Sequence, residues 1–306
     1  MIGALELGML YAVMALGVYL TFRVLNFPDL TVDGSFTTGG AVTASLIAAG
    51  VHPLAATLTG AAAGGLAGVV TGLLHTFGRI DGLLAGILTM IALWSVNLRI
   101  MGTSNLSVPR GDTLMTPLKE AGLLGFSPVG ILLFFIGVLV LKALIDWFLA
   151  TDLGLAIRAT GNNGQMIRSF GVDTHFTTIL TLAVSNALVA LSGGLIAQYQ
   201  GYADISMGVG LILIGLASVI LGQAIFGHRT VFLATIGVIA GAILYRLVIF
   251  AALSVGLNPN DMKLVSAVLV VLALLLPRLR GYLPSKPRPL TTDTGTVLTA
   301  AQPQKG

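Results

Sequence analysis

What constrains this chain most is hydrophobic length: one stretch after another is as long and as apolar as a bilayer is thick. A span needs about 20 mostly apolar residues, and candidates fall at residues 2–22, 35–49, 53–74, 82–101, 128–149, 176–199, 207–226, 231–253 and 259–276. The second is short and rich in Thr and Gly. The length criterion thus gives about nine spans and predicts an all-α polytopic membrane protein. Composition closes the soluble alternative. Only 9% of the 306 residues are charged, against roughly 25% in soluble domains, too few to cover a water-facing surface. The N-terminal segment has neither a basic n-region nor a cleavage site, so it is expected as a retained first span.

An odd number of spans puts the termini on opposite sides, and the basic residues choose between the two orientations. With the N-terminus outside, Arg23, Arg79, Arg158, Arg168 and Arg229 face the cytoplasm together with Arg278, Arg280, Lys286, Arg288 and Lys305 of the tail, leaving Arg110, Lys119 and Lys263 outside. The expected orientation is N-out, C-in. The last span opens on helix-start signals: Asn258 to cap, Pro259 at the first helical position and Asp261 in the first turn. The tail 284–306, poor in apolar residues, reads as disordered, leaving 1–283 as the transmembrane domain. The net charge of +4 is spread out or gathered in the tail, so no nucleic-acid partner is implied.

Two internal patterns stand out. "DLTV" from Asp29 resembles "DISM" from Asp204, and the same offset carries Gly40 onto Gly215; "GGLAGVV" from Gly64 loosely echoes "GVIAGAI" from Gly237. Five spans separate the copies, so they run in opposite directions, as in the inverted repeats that build transporters around a midplane site. In addition, Gly60, Gly64, Gly68 and Gly72 recur every fourth residue, a smooth face that lets another helix backbone approach closely. Packing within one chain and a subunit interface are both open for it.

No catalytic set assembles. Cysteine is absent, and no Walker A loop, HExxH or GxSxG is present, so nucleotide-phosphate binding, zinc-protease and serine-esterase chemistry lack their motifs. The four histidines have no ligand spacing, and no metal site is expected. Asp29 and Asp33 fall in the loop after the first span, in "NFPDLTVDGS", where capping and turn formation account for them. Arg99 and Arg246 lie near span ends and can reach the interface. Asn97, Asn186, Gln198 and Gln223 either line a polar path or tie helices together. Thr37, Gly40, Asn97, Asn186 and Gly215 are the candidate path residues, because the small polar surfaces of spans 35–49 and 207–226 suit a solute in transit.

The odd element is "TDLGLAIRATGNNGQMIRSFGVDT" (151–174), a polar stretch between greasy neighbours. Thr151 and Asp152 supply a helix start, "GNN" around Asn163 turns the chain, and Gly171 stops a second helical turn. Leu155, Ile157, Met166, Ile167 and Phe170 give it an apolar face for docking. Together with "NALVALSGGLIAQYQGYADISMGVGLILIGLASVILGQ" and "NFPDLTVDGSFTTGGA", it resembles the permease subunits of bacterial ATP-binding cassette importers for branched-chain amino acids, ribose and related sugars, and within them the tryptophan- and tyrosine-type systems.

That resemblance implies a cytoplasmic coupling helix carried by Gly154, Arg158, Ala159, Asn163 and Gly171. Asn162 and Gly164 stand where acidic residues are common, and Gln223 where Glu is frequent. It also implies the partners: an ATPase dimer that holds the ATP and Mg, so that this chain binds no cofactor and is no enzyme; a second permease copy; a substrate-binding protein outside; and membrane lipid. The implied solute is an aromatic or branched-chain amino acid, with a sugar or nucleoside as the alternative. An ion-coupled secondary transporter is the rival mechanism and would need carboxylates at the midplane.

Overall fold

The computed structural model describes residues 2–108, 113–122, 128–227, 230–256, 264–271 and 275. Helix α1 (Ile2–Tyr19) runs on into a π-helical turn (Leu20–Val24), followed by α2 (Thr31–Ala48), α3 (Pro53–Thr76) and α4 (Gly82–Met101). Strand β1 (Asn105–Ser107) and short α5 (Thr116–Glu120) lead to α6 (Pro128–Ala150), α7 (Asp152–Ser169) and α8 (Thr174–Gln200). Strand β2 (Tyr202–Asp204), α9 (Leu211–Phe226) and α10 (Val231–Ser254) follow. The strands pair antiparallel, Leu106 opposite Ala203.

Among the described residues six helices are long and apolar enough to cross a membrane: Ile2–Val24, Pro53–Thr76, Gly82–Met101, Val129–Ala150, Thr174–Gln200 and Val231–Ser254. Helices α2 and α9 take the other expected places with shifted starts, α2 four residues earlier than the apolar run suggests and α9 four later. Of the expected last span, 264–271 is helical and packs Val270 beside Tyr245 and Ile249 of α10. The rest of that span, its Asn258, Pro259 and Asp261 start, and the tail 284–306 lie outside the described residues.

The centre of the bundle is the antiparallel pair α1 and α8. The Ser192 hydroxyl donates to the Leu10 carbonyl and Ser185 to that of Gly17, each at 2.7 Å. Rising numbers on one helix meet falling numbers on the other. Helices α2 and α3 pack on α8, whereas α9 and α10 pack on α1. Each half of the sequence repeat therefore clasps the leading helix of the other half.

Glycine makes the first clasp close. A Cβ at Gly64 would fall 2.2 Å from Ala190 Cβ, and one at Gly68 2.2 Å from the Leu182 carbonyl oxygen. Gly72 meets Ile179, while Gly60 faces Thr43 and Gly39 of α2. The four-residue glycine row is thus packing within one chain. In α10 the echoing Gly237 and Gly241 are spent on α9 instead, against Gly222 and Ser218.

Candidate functional site

Two regions carry groups that a lipid-facing bundle would not. The first is α7. The Thr151 hydroxyl caps its start by accepting the Gly154 N–H at 3.3 Å, and Gly154 fits under the α6 end, where a Cβ would lie 2.3 Å from the Phe148 carbonyl oxygen. Gly161 makes a second close approach that the sequence reading missed, with a would-be Cβ 2.0 Å from the Val24 carbonyl oxygen. At Asn163 the helix breaks (φ −157°, ψ 90°), and the Asn163 Oδ1 accepts the Met166 N–H at 3.0 Å, restarting it. The segment ends at Gly171 with φ +86°, a conformation costly to side-chain-bearing residues. Arg168 then staples it to α8 through the Thr174 hydroxyl, 2.6 Å from Nη2.

Ile157, expected on the docking face, is fully buried and anchors α7 to the bundle. Leu155, Met166 and Phe170 are exposed as expected, with Leu153 beside them. Arg158 is exposed, Ala159 half-buried. Arg158 opens on a cavity of about 370 Å³ that also takes in Arg23, Asn26, Asn162 and Gln223. The Arg23 Nε donates to Gln223 Oε1 at 2.7 Å, and Asn26 Nδ2 to the Gly161 carbonyl at 3.0 Å. Among the described residues the one ion pair is Lys142 with Asp146, so two guanidinium groups share this cavity without a carboxylate.

The second region lies inside the bundle. Asp29 and Asp33, which the sequence places in a loop, sit where α2 and α9 begin. Asp29 is fully buried; its Oδ1 accepts the Thr31 N–H at 2.9 Å and its Oδ2 accepts Asn186 Nδ2 at 2.7 Å, near the midpoint of α8. Asp33 receives the Gly210 and Ile212 N–H groups, both at 2.8 Å, and so caps the start of α9 from across the repeat. The expected capping role holds, but inside the helix bundle rather than in a surface loop. Elsewhere polar side chains tie elements: Gln198 donates to the Thr57 hydroxyl at 2.7 Å and accepts the Leu114 N–H at 3.0 Å. Among the described residues no cluster of three metal-ligating side chains occurs.

A family model described as "Branched-chain amino acid transport system / permease component" matches residues 1–275. The chain belongs to this permease family. It is 39% identical over 270 residues to the tyrosine transport system permease protein of Clostridioides difficile (strain R20291), covering 88% of both chains. To the ribose import permease of Escherichia coli (strain K12) it is 27% identical over 274 residues, covering 87% of this chain and 81% of that one. The solved structure of PsaBC from Streptococcus pneumoniae in complex with Fab shares the fold, with TM-score 0.53 and 13% identity over 89% of this chain and 90% of that one. The protein is thus a multi-pass permease of the ATP-binding cassette importer type.

In this permease the five expected path residues separate into two groups. Thr37 and Asn97 meet in one groove of about 360 Å³, with Asp33, Gly34 and Ser95. Gly40, Asn186 and Gly215 lie in packing contacts inside the bundle: Gly40 against Met207, Gly215 against Val18, and Asn186 on Asp29. Sequence spacing gave no hint that Asp33 belongs to the groove, because its partners stand 177 and 179 residues away.

Proposed function

We propose that the permease moves an apolar or aromatic amino acid inward as a homodimer, with a soluble ATPase docked on α7 and a substrate-binding protein delivering from outside. The tyrosine permease relative supports the solute class. ATP and Mg belong to the ATPase; this chain contributes the path and the lever. The observation that carries the docking role is the pairing, on one kinked helix, of exposed Leu153, Leu155, Met166 and Phe170 with the carboxylate-free Arg158 cavity. An acidic side chain of the ATPase would complete that cavity, and the planar fork of Arg158 would fix its angle. Gly154, Ala159, Asn163 and Gly171 set the pose of the helix under load. The distribution of basic residues favours α7 on the cytoplasmic side, with the N-terminus outside.

One experiment tests docking and orientation together. The cognate ATPase, added to vesicles carrying the permease, is expected to bind inside-out vesicles and leave right-side-out ones bare. Arg158→Glu should reduce the bound ATPase by about tenfold or more, the scale of removing a partner from a desolvated charge pair. Equal binding to both vesicle types, or full binding by Arg158→Glu, overturns the assignment.

A further inference from the structure

The groove that holds Thr37 and Asn97 has two unlike ends. Its wall is apolar and partly flat, made by Met90, Ile91 and Trp94 of α4 with Ile205 and Val209 of the loop before α9. Its polar end is lined by Asp33, Thr37 and Asn97. Asn97 is 1% exposed, and its Oδ1 has no hydrogen-bond partner, while its Nδ2 reaches the Gly34 carbonyl only at 3.5 Å. A buried acceptor left unmade is costly, so this atom calls for an N–H or O–H from something the chain does not itself supply.

The neighbouring groups ask for the same chemistry. Each Asp33 oxygen accepts one backbone N–H and keeps capacity for another. The Thr37 hydroxyl spends its proton on the Asp33 carbonyl at 3.2 Å, so it too faces the groove as an acceptor. The Ser95 hydroxyl and the Asn97 amide can also donate here, but the carboxylate among these acceptors favours a cationic partner.

Helix α4 shows that this face is not simply lipid-facing. It turns Ala85, Thr89, Leu93 and Asn97 into the protein and leaves Ile91, Trp94, Ser95 and Arg99 exposed. Ser95 puts a hydroxyl on that outer face beside the groove, whereas Arg99, in the last turn of the helix, can reach the interface. The groove volume lies within the roughly 300–1,000 Å³ of small-molecule sites.

We propose that this groove is a solute-selecting site in the permease path, which holds an ammonium group at Asn97, Asp33 and Thr37 and an apolar side chain along Trp94 and Met90. The proposal rests on the reading of the chain as an importer permease for apolar or aromatic amino acids and assigns that solute a site in the chain. A neutral sugar supplies hydroxyl donors but no cationic group to set against the Asp33 carboxylate.

The absence of cysteine makes a clean test available. In the assembled importer in nanodiscs, Ser95→Cys should react with a hydrophilic thiol reagent, and L-tyrosine should slow that reaction several-fold while D-ribose leaves it unchanged. Adding Asn97→Leu should remove the protection. Binding-protein-stimulated ATP hydrolysis is measured in the same preparation. If hydrolysis persists while tyrosine gives no protection, or ribose protects equally, the groove assignment falls and the importer reading stands. A Cys that never reacts overturns the groove as well, since lipid or the second copy then covers it. Loss of the ATPase from the preparation with unaltered chain would instead strike the importer reading.

Discussion

Asp29 and Asp204 are the same residue twice. Each Oδ1 accepts the N–H two residues on, Thr31 at 2.9 Å and Ser206 at 2.8 Å. Each Oδ2 accepts an Asn side-chain amide from the opposite half of the chain, Asn186 at 2.7 Å and Asn105 at 3.3 Å. The surroundings differ completely. Asp29 is sealed inside the bundle and Asp204 closes a half-exposed strand at the ribbon end. The repeated motif dictates a turn; burial decides what that turn is worth. Water can replace a lost partner at Asp204, and at Asp29 it cannot.

The largest effect is expected from Asn186→Leu, which leaves the Asp29 carboxylate buried with one partner fewer. Removing one side of a buried polar pair costs about 3 kcal/mol, read as a fall in Tm of about 5 °C in detergent. A wild-type Tm would mean that burial makes no difference between the two turns. Asp29→Asn should cost less. The new amide keeps the Thr31 bond, and Asn186 can rotate to offer its own unpartnered Oδ1, giving up only its bond to the Leu182 carbonyl. One neutral hydrogen bond is worth about 1 kcal/mol, a correspondingly smaller shift. A loss as large as that of Asn186→Leu would show that the negative charge itself is needed.

Asp204→Ala should be the mildest, with Tm unchanged within error at neutral pH. Burial acts to raise this carboxyl's pKa, but hydrogen bonds from Ser206 and Asn105 outweigh it and hold the pKa below the usual range. A depressed folded pKa gives stability above the unfolded value and loses it as pH falls through the folded one. Any difference from wild type should therefore fade below about pH 4. A large loss at neutral pH would remove the contrast between the two turns.

Much of this architecture was legible in the sequence. The bounds of α3, α4, α6 and α10 follow the apolar runs to within about two residues, because a span is set by bilayer thickness alone. The helix–turn–helix form of α7 was also readable, since Thr151, Asn163 and Gly171 act on neighbours in the chain. Where the reading departed, the cause was a distant partner. "NFPDLTVDGS" looks like an exit from the membrane because its polarity is local, whereas Asn186, Gly210 and Ile212, which satisfy it, are far along the chain. Ile157 stands two residues from Leu155, about 200° around a helix, so helical phase already separates the buried anchor from the exposed face. The groove required α2, α4 and the loop before α9 to be brought together, and no motif marks that meeting.

The clasped arrangement of the two halves has a consequence for how the chain is made. Asn186 is synthesised 157 residues after Asp29, which at about 5–20 residues per second is on the order of ten to thirty seconds of translation. For the greater part of that interval α2 and α3 have been made while the helix they fit, α8, does not yet exist. Their glycine row has no backbone to rest on, and the Asp29 carboxylate has no amide from across the repeat. The first half stays open until α8, the fifth of the six span-length helices among the described residues, arrives to close it.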